Sequence, residues 1–283
     1  MKYVTFLRDG APRVGVVTDA GLVDATALGF PATLNGLIVG GAEMAARLRE
    51  RLAAGAGETV EMAGLRYSNV VETPSKIVCV GLNYKSHAEE TGGAVPAQPV
   101  LFSKFSDTLH PAGEPVELPP WQRCYDYEAE LVVILGRACY HADRAEAAAS
   151  IFGYTVGNDL SARDCQFLSN QWLTGKSFPH FAPAGPVVVT ADSFDPSQPH
   201  AVRTELNGQP AQEGSTDDMI FSCAEIVEAA SRYFALRAGD LIFTGTPAGV
   251  ILGHPKGQRR WMRPGDTVTV SIEGIGALTT PLV

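Results

Sequence analysis

The chain lacks any long apolar run, and this absence excludes a membrane-spanning helix. Nowhere in its 283 residues are there about 18 consecutive apolar side chains, the minimum length for such a helix. The start, Met1-Lys-Tyr-Val-Thr-Phe-Leu-Arg-Asp-Gly10, turns polar too early for a secretory signal peptide. We therefore expect a cytoplasmic protein with no membrane partner.

Cysteine and positive charge are also scarce. The five cysteines are widely spread and contain no Cys-x-x-Cys pair, which argues against a disulfide framework or a zinc site and fits reduced thiols. Lys and Arg number 22 against 31 Asp and Glu, and the resulting net charge of −9 disfavours nucleic acid as a partner. The hydrophobic fraction of 45% is that of an ordinary globular chain.

Short β-branched runs outnumber helical patterns, so the sequence predicts an α+β, mainly β, architecture and not a doubly wound sheet. Residues 1–70 form a small N-terminal α+β domain in this interpretation, and Pro74 lies in the linker to a larger domain at 75–283. Strands are predicted at 3–7, 14–18, 22–24, 59–63, 77–80, 100–103, 116–118, 128–135, 187–190, 202–206, 240–244 and 268–272. Helices are predicted at 42–54, 83–91, 142–149 and 224–234.

Glu128 and Glu130 open an apolar run that Gly136 closes, and this run is typical of a half-buried strand. Residues two apart in a strand share a face and lie roughly 6.5–7 Å apart. Two carboxylates there stay ionised beside apolar neighbours only if a cation lies between them. The alternative is that both point to solvent from an exposed sheet face.

Asp159 follows in the turn Gly157-Asn-Asp-Leu160 and offers a third carboxylate. Hard oxygen ligands without histidine or thiolate suit Mg²⁺, Mn²⁺ or Ca²⁺. An aspartate in such a turn is also a common helix cap, so the residue alone does not decide between the two roles.

His87 and Glu90 are three residues apart, which places both on one helix face, where the carboxylate can orient the imidazole as a general base. A solvated surface pair has the same spacing. Lys176 lies in a Pro/Gly-rich stretch that fixes its direction, and Thr246 follows a predicted strand as a possible anion contact or a simple turn residue.

Five motifs in one order resemble the fumarylacetoacetate hydrolase family over roughly residues 75–283. They are Gly81-Leu-Asn-Tyr84 with His87 and Glu90, Tyr127-Glu-Ala-Glu-Leu131, Asn158-Asp-Leu-Ser-Ala-Arg-Asp164, Gly175-Lys-Ser-Phe178 and Thr244-Gly-Thr-Pro-Ala-Gly-Val250. The resemblance implies a mixed β-roll catalytic domain, a homodimer, and Mg²⁺ or Mn²⁺ held by Glu128, Glu130 and Asp159. It also implies a His87–Glu90 dyad on a lid, with Lys176 polarising the substrate. Substrate contacts are implied for Arg163, Gln166, Thr246 and Lys104.

These expectations favour a metal-dependent hydrolase that cleaves a C–C bond in 2,4-dioxo acids of the acylpyruvate type. A metal-stabilised enolate and water activated by the dyad carry the reaction. Oxaloacetate decarboxylation and isomerisation or hydration of unsaturated 2-oxo acids use the same enolate, and an inactive metal-binding module is the non-enzyme alternative. One departure concerns Pro179 and His180, which replace the Asp-Thr of many relatives after Lys176. The basic loop at 256–263 is either a substrate entrance or an exposed, solvated loop.

Overall fold

The computed structural model describes residues Met1–Val283 and has the predicted class, mixed α+β and mainly β. Five short strands and one helix come from the first 70 residues. Their bounds are β1 Lys2–Arg8, β2 Ala11–Thr18, β3 Gly21–Asp24, α1 Leu34–Ala53, β4 Thr59–Val60 and β5 Arg66–Tyr67.

The remaining elements follow from Ile77 to Pro281. The strands are β6 Ile77–Gly81, β7 Val100–Lys104, β8 Leu109–Pro111, β9 Tyr125–Asp126, β10 Ala129–Leu135, β11 Ile151–Asn158, β12 Ser161–Ala162, β13 Ala182–Ala184, β14 Val187–Thr190, β15 Ala201–Leu206, β16 Gln209–Ser215, β17 Leu241–Phe243, β18 Thr267–Ile272 and β19 Gly276–Pro281. The helices are α2 Lys85–Glu90, α3 Arg144–Ala149, α4 Arg163–Gln166, α5 Leu173–Lys176 and α6 Cys223–Ser231, with 3₁₀ turns at Ser106–Thr108, Ala191–Ser193, Thr216–Asp218, Ile251–Gly253 and Lys256–Gln258. No helix combines the length and apolar character that a bilayer crossing requires.

Most strands belong to one large mixed sheet. Its main path runs β4-β3-β2-β1-β14-β11-β10-β17-β6-β7, while β5, β8 and β13 pair at its borders. A separate four-stranded sheet has the order β16-β15-β18-β19. Only the β17–β6 and β13–β8 pairs are parallel. Because β1 pairs with β14, the large sheet is continuous across the predicted boundary at 70–75. The division into two domains stays a prediction.

Strand β10 lies at the centre of this sheet, between β11 and β17. All seven of its residues are buried, so the expectation of a half-buried strand was wrong. Leu131, Val133 and Leu135 pack in one apolar cluster with residues of β18 and α6, while Val132 and Ile134 pack in a second cluster with residues of α1. Both faces of β10 are therefore covered, and a carboxylate near its start cannot escape to bulk solvent.

Two other local predictions need correction, and strand β11 was missed. The N-terminal helix begins at Leu34, where Thr33 accepts a hydrogen bond from the Gly36 N–H at 3.2 Å, and it is interrupted at Gly41, whose φ is 63°. The predicted strand at 116–118 is reduced to a single bridge between Val116 and Leu282. The sequence patterns did not indicate β11, although it is one of the two longest strands.

Candidate active site and metal centre

The sheet register brings the three predicted metal ligands together. Glu128 immediately precedes β10, Glu130 is the second residue of β10, and Asp159 follows the end of β11. The two strands are antiparallel with Glu130 opposite Gly157, so the start of one lies beside the end of the other. One carboxylate oxygen from each residue lies within 4.8 Å of the others, and all three side chains are buried.

Buried cations surround two of these carboxylates. The Glu128 oxygens accept from Arg163 Nη2 and Lys176 Nζ, each at 2.7 Å, and Lys176 also donates to Asp159 Oδ2 at 2.7 Å. Burial alone would raise the pKa of Glu128, but Lys176 and Arg163 hold it well below its ordinary value. The second Asp159 oxygen accepts from Lys104. Glu128 is therefore held as a carboxylate, and Asp159 lies between two ammonium groups.

Glu130 is in a different electrostatic position. It accepts one hydrogen bond, from the Gly245 N–H at 2.7 Å, and forms no ion pair with a cationic side chain. Burial, together with the charges of Asp159 and Glu128, raises its pKa well above the ordinary value. The third predicted ligand is thus the one whose negative charge the protein leaves without a partner.

The local charge balance favours a bound cation. Four buried carboxylates, those of the triad and of Asp126, face the three cations Lys104, Arg163 and Lys176, so one negative charge is uncompensated. The donor set consists of hard carboxylate oxygens, which suit Mg²⁺ or Mn²⁺ better than zinc. The residues present therefore meet the requirements of the implied metal.

The predicted dyad lies in α2. His87 Nδ1 is 3.4 Å from Glu90 Oε2, and the other Glu90 oxygen accepts from the Gly249 N–H at 3.0 Å. A Cβ atom built on Gly253 would lie 2.1 Å from the Glu90 carboxyl carbon, so only glycine leaves room for this carboxylate. Two glycines of the loop between β17 and β18 thus fix the orientation of Glu90 toward the imidazole.

A cavity of about 420 Å³ joins the dyad to the triad. Small-molecule sites commonly have volumes of about 300–1,000 Å³. Eight of the ten predicted site residues line this cavity; they are His87, Glu90, Glu128, Glu130, Arg163, Gln166, Lys176 and Thr246. Asp159 and Lys104 do not line it. Lys104 is buried and donates to Asp159 and to the Leu160 carbonyl, so its ammonium group contacts the acidic triad. Its predicted substrate contact stays a prediction.

The predicted substrate contacts are themselves well ordered by the protein. Arg163 donates from Nη1 to Gln166 Oε1 at 2.8 Å. Thr246 donates to the Ala129 carbonyl at 2.9 Å and accepts from Gln212 Nε2 at 2.9 Å. Because Ala129 separates the two glutamates in the chain, Thr246 also helps to hold the start of β10, where they lie.

Sequence reasoning missed Asp126, which is fully buried and organises the site. Its carboxylate pairs with Arg163 Nε at 2.9 Å and accepts from the backbone N–H groups of Ile251 and Leu252. A signal was present, because Asp126, Glu128 and Glu130 alternate with period two. Phe102 and Trp172, whose ring centroids are 5.3 Å apart, were also missed and form an aromatic wall of the cavity.

The departure at Pro179 and His180 lies outside the cavity lining. His180 is exposed, has a φ of 68°, and its ring lies 4.3 Å from that of His110. A packed surface histidine was one of the two interpretations of this residue, and the contact agrees with it. Pro179 is also exposed, so neither residue replaces a carboxylate beside Lys176.

Comparisons with known proteins place this site in a family. The family model described as fumarylacetoacetate (FAA) hydrolase C-terminal matches residues 76–283. Human mitochondrial oxaloacetate tautomerase is 38% identical over 217 residues, covering 75% of this chain and 68% of the relative. The solved fumarylacetoacetate hydrolase of Exiguobacterium antarcticum is 35% identical with a TM-score of 0.87, covering 100% of this chain and 99% of that one.

A maleylpyruvate hydrolase from Sphingobium, solved with manganese(II) and pyruvate, is 25% identical with a TM-score of 0.81, again covering 100% of this chain and 99% of that one. The matched segment coincides with the five motifs and contains every ligand of the triad. The chain belongs to the fumarylacetoacetate hydrolase family.

Proposed function

We propose that the protein is a divalent-metal-dependent hydrolase that cleaves the C3–C4 bond of 2,4-dioxo acids. The observation that carries this proposal is the shared cavity, which is lined both by the His–Glu dyad and by two carboxylates of the acidic triad, Glu128 and Glu130. A base beside a cation site can activate water next to a substrate held there. The manganese and pyruvate bound to the Sphingobium relative support the ligand class.

The metal contribution is simple to state. A divalent cation held by Glu128, Glu130 and Asp159 would act as a Lewis acid for the 1-carboxylate and 2-oxo oxygens and stabilise negative charge on them. Glu130 then gains the cationic partner that the protein does not supply.

His87 is the base that this geometry favours. Its Nδ1 faces Glu90, so Nε2 is the ring nitrogen free to take a proton from water. Glu90 stabilises the imidazolium that results, since its carboxylate is fixed by the Gly249 N–H. The activated water attacks C4 to give an oxyanion, whose collapse breaks the C3–C4 bond and releases a carboxylic acid. His87 then returns the proton to C3 of the pyruvate-type product.

Lys176 is placed to donate to the substrate. Burial would lower its pKa, but Asp159 and Glu128 raise it above the ordinary value, so it stays an ammonium group. Two of its three N–H donors bind these carboxylates. The third remains for an oxo or oxyanion oxygen in the cavity, where charge develops during attack.

A tautomerase is the second candidate, favoured by the 38% identity to the human oxaloacetate tautomerase. The same base would move a proton between C3 and the 2-oxo oxygen without any water attack. Decarboxylation of oxaloacetate requires the same stabilised charge and is the third outcome that an assay must separate.

Acylpyruvates and oxaloacetate, supplied with Mg²⁺ and Mn²⁺, test these alternatives directly. We expect release of pyruvate from acylpyruvates, measured with lactate dehydrogenase as the coupling enzyme. We expect only slow release of CO₂ from oxaloacetate. Glu128→Gln should abolish both turnover and divalent-metal binding measured by calorimetry. Full turnover of this variant in metal-free buffer would contradict the proposal. If the wild-type protein bound the metal but turned over none of these substrates, a binding module would be indicated instead.

His87→Ala separates the reactions. Loss of a general base typically costs about 10²–10⁴-fold, so hydrolysis should fall by this factor while metal affinity stays unchanged. Decarboxylation should persist, because it needs no activated water. The exposed His254 provides the control, and His254→Ala should match the wild type in every assay. Equal losses of hydrolysis and decarboxylation in His87→Ala would count against the proposed role.

A further inference from the structure

Arg259 differs from the other two cations that line the cavity. Arg163 pairs with Asp126 and Glu128, and Lys176 pairs with Glu128 and Asp159, whereas Arg259 forms no ion pair. Its Nε donates to the His254 carbonyl at 2.8 Å, and its guanidinium carbon lies 5.9 Å from the Trp261 ring centroid. Both contacts fix the side chain and leave Nη1 and Nη2 without a protein acceptor.

The loop that carries Arg259 is tied to the metal centre. The N–H groups of Ile251 and Leu252 donate to Asp126 at 2.8 and 2.9 Å, and the Met262 N–H donates to the Tyr125 carbonyl at 3.1 Å. Asp126 is the carboxylate that also positions Arg163. The loop is therefore anchored on both sides of Arg259 by the residues just before Glu128.

Depth separates Arg259 from the triad within the same cavity. The three triad residues are buried, whereas Arg259 is only partly buried, so it lies toward the mouth. The lining also includes the apolar side chains of Phe102, Trp172 and Leu252, and none of them can pair with a charged group of a ligand. The cavity that reaches the triad is thus also lined by apolar side chains and by one guanidinium without an ion pair.

We infer that Arg259 binds a second carboxylate at the far end of the substrate and selects dicarboxylic 2-oxo acids over their monocarboxylic analogues. The planar guanidinium presents two parallel N–H donors, which match a carboxylate bidentately. This inference rests on the proposed function for the identity of the near end of the substrate. It changes the interpretation of the basic loop at 256–263 from a solvated segment to a specificity element.

The kinetic test uses two substrates of equal chain length, 2,4-dioxoheptanedioate and 2,4-dioxoheptanoate. Arg259→Gln should raise KM for the diacid roughly 10–100-fold, the loss expected for a charged hydrogen-bonded pair, with little change in kcat. The monoacid should be unaffected. Arg260→Gln is the control, because the Arg260 guanidinium lies 3.6 Å from Asp266 and does not line the cavity.

A binding test separates this inference from the proposed reaction. With Mg²⁺ present, 2-oxohexanedioate and 2-oxohexanoate lack the 4-oxo group that hydrolysis needs, so calorimetry reports affinity alone. Tighter binding of the diacid that disappears in Arg259→Gln supports the inference even if no hydrolysis is found. Equal affinities of the wild type for both acids, or equal losses for both in the variant, would overturn it.

Discussion

The position of the Glu90 carboxylate depends on the absence of a side chain at Gly253, which packs against it. The Gly253 backbone does not have a positive φ, so it accepts alanine without strain, yet the added Cβ would lie 2.1–2.5 Å from the Glu90 carboxyl atoms. The carboxylate must then move and lose its contacts with His87 and the Gly249 N–H. A side chain at position 253 would therefore change the orientation of His87 indirectly, by displacing Glu90.

We expect Gly253→Ala to lower kcat for acylpyruvate hydrolysis at least 10-fold, because an unoriented imidazole is a poorer base. Metal affinity should not change, since Glu90 is not one of the three proposed ligands. Gly257→Ala is the matched control in the same loop, where a Cβ meets nothing within 4 Å. Wild-type kcat in Gly253→Ala, or an equal loss in Gly257→Ala, would contradict this positioning.

At the same scale, the sequence predicted the residues whose chemistry is visible in local spacing. Glu128 and Glu130 follow the period of a strand, and His87 and Glu90 follow that of a helix. Arg259 offers no such signal, because its lack of an ion pair depends on where the loop folds. The depth of Lys104 was equally unpredictable, since a lysine after a strand is usually solvated.

At the scale of elements, β11 shows why a long strand escapes sequence patterns. Its glycines lower strand propensity, but each permits a close approach: a Cβ on Gly153 would lie 2.2 Å from the Val189 carbonyl oxygen, and one on Gly157 would lie 2.5 Å from a Val132 methyl. The glycines that weaken the strand pattern in the sequence are therefore the residues that close packing in the sheet requires. The turn carrying Asp159 was visible, but the strand that delivers it was not.

The four-stranded sheet is linked to the site through one side chain of β16. Gln212 is buried, accepts from the Ala129 N–H at 3.0 Å and from the Thr204 hydroxyl at 2.7 Å, and donates to Thr246 at 2.9 Å. Leucine is close in size but can replace none of these contacts.

We expect Gln212→Leu to lower the free energy of unfolding by about 2 kcal/mol, because each unsatisfied buried group costs about 1–3 kcal/mol. Metal affinity should also fall, since Ala129 separates two ligands. Urea unfolding and calorimetry measure the two effects. Gln209→Leu, at the exposed start of the same strand, should stay within about 0.5 kcal/mol of the wild type. An equal, small effect of both substitutions would show that the link is unimportant.

At the scale of the whole molecule, the N-terminal residues are structurally part of the large sheet. Lys2 pairs opposite Val189, and α1 covers the apolar cluster that contains Val132 and Ile134. The linker pattern at 71–75 marks a change in composition, which is visible in the sequence. The continuity of the sheet depends on long-range strand pairing, which is not visible there.

We therefore expect the fragment 75–283 to fold poorly despite containing every candidate catalytic residue. Removing the first strands leaves β14 without a partner on one side and exposes the apolar cluster beneath α1. The fragment should bind an apolar dye strongly and unfold without a cooperative transition, in contrast to the full chain. Cooperative unfolding with full metal affinity would instead establish two independent domains.

During synthesis, strand β17 becomes available to the sheet much later than its partner β10. It pairs with β10 on one side and with β6 on the other, yet it is translated about 110 residues after β10. At roughly 5–20 residues per second, the ribosome takes about 5–20 s to synthesise that stretch. For this interval β10 has one glutamate, a row of aliphatic side chains and an unpaired edge. Aggregation therefore competes with folding mainly during synthesis, when a chaperone that shields strand edges has the most to protect.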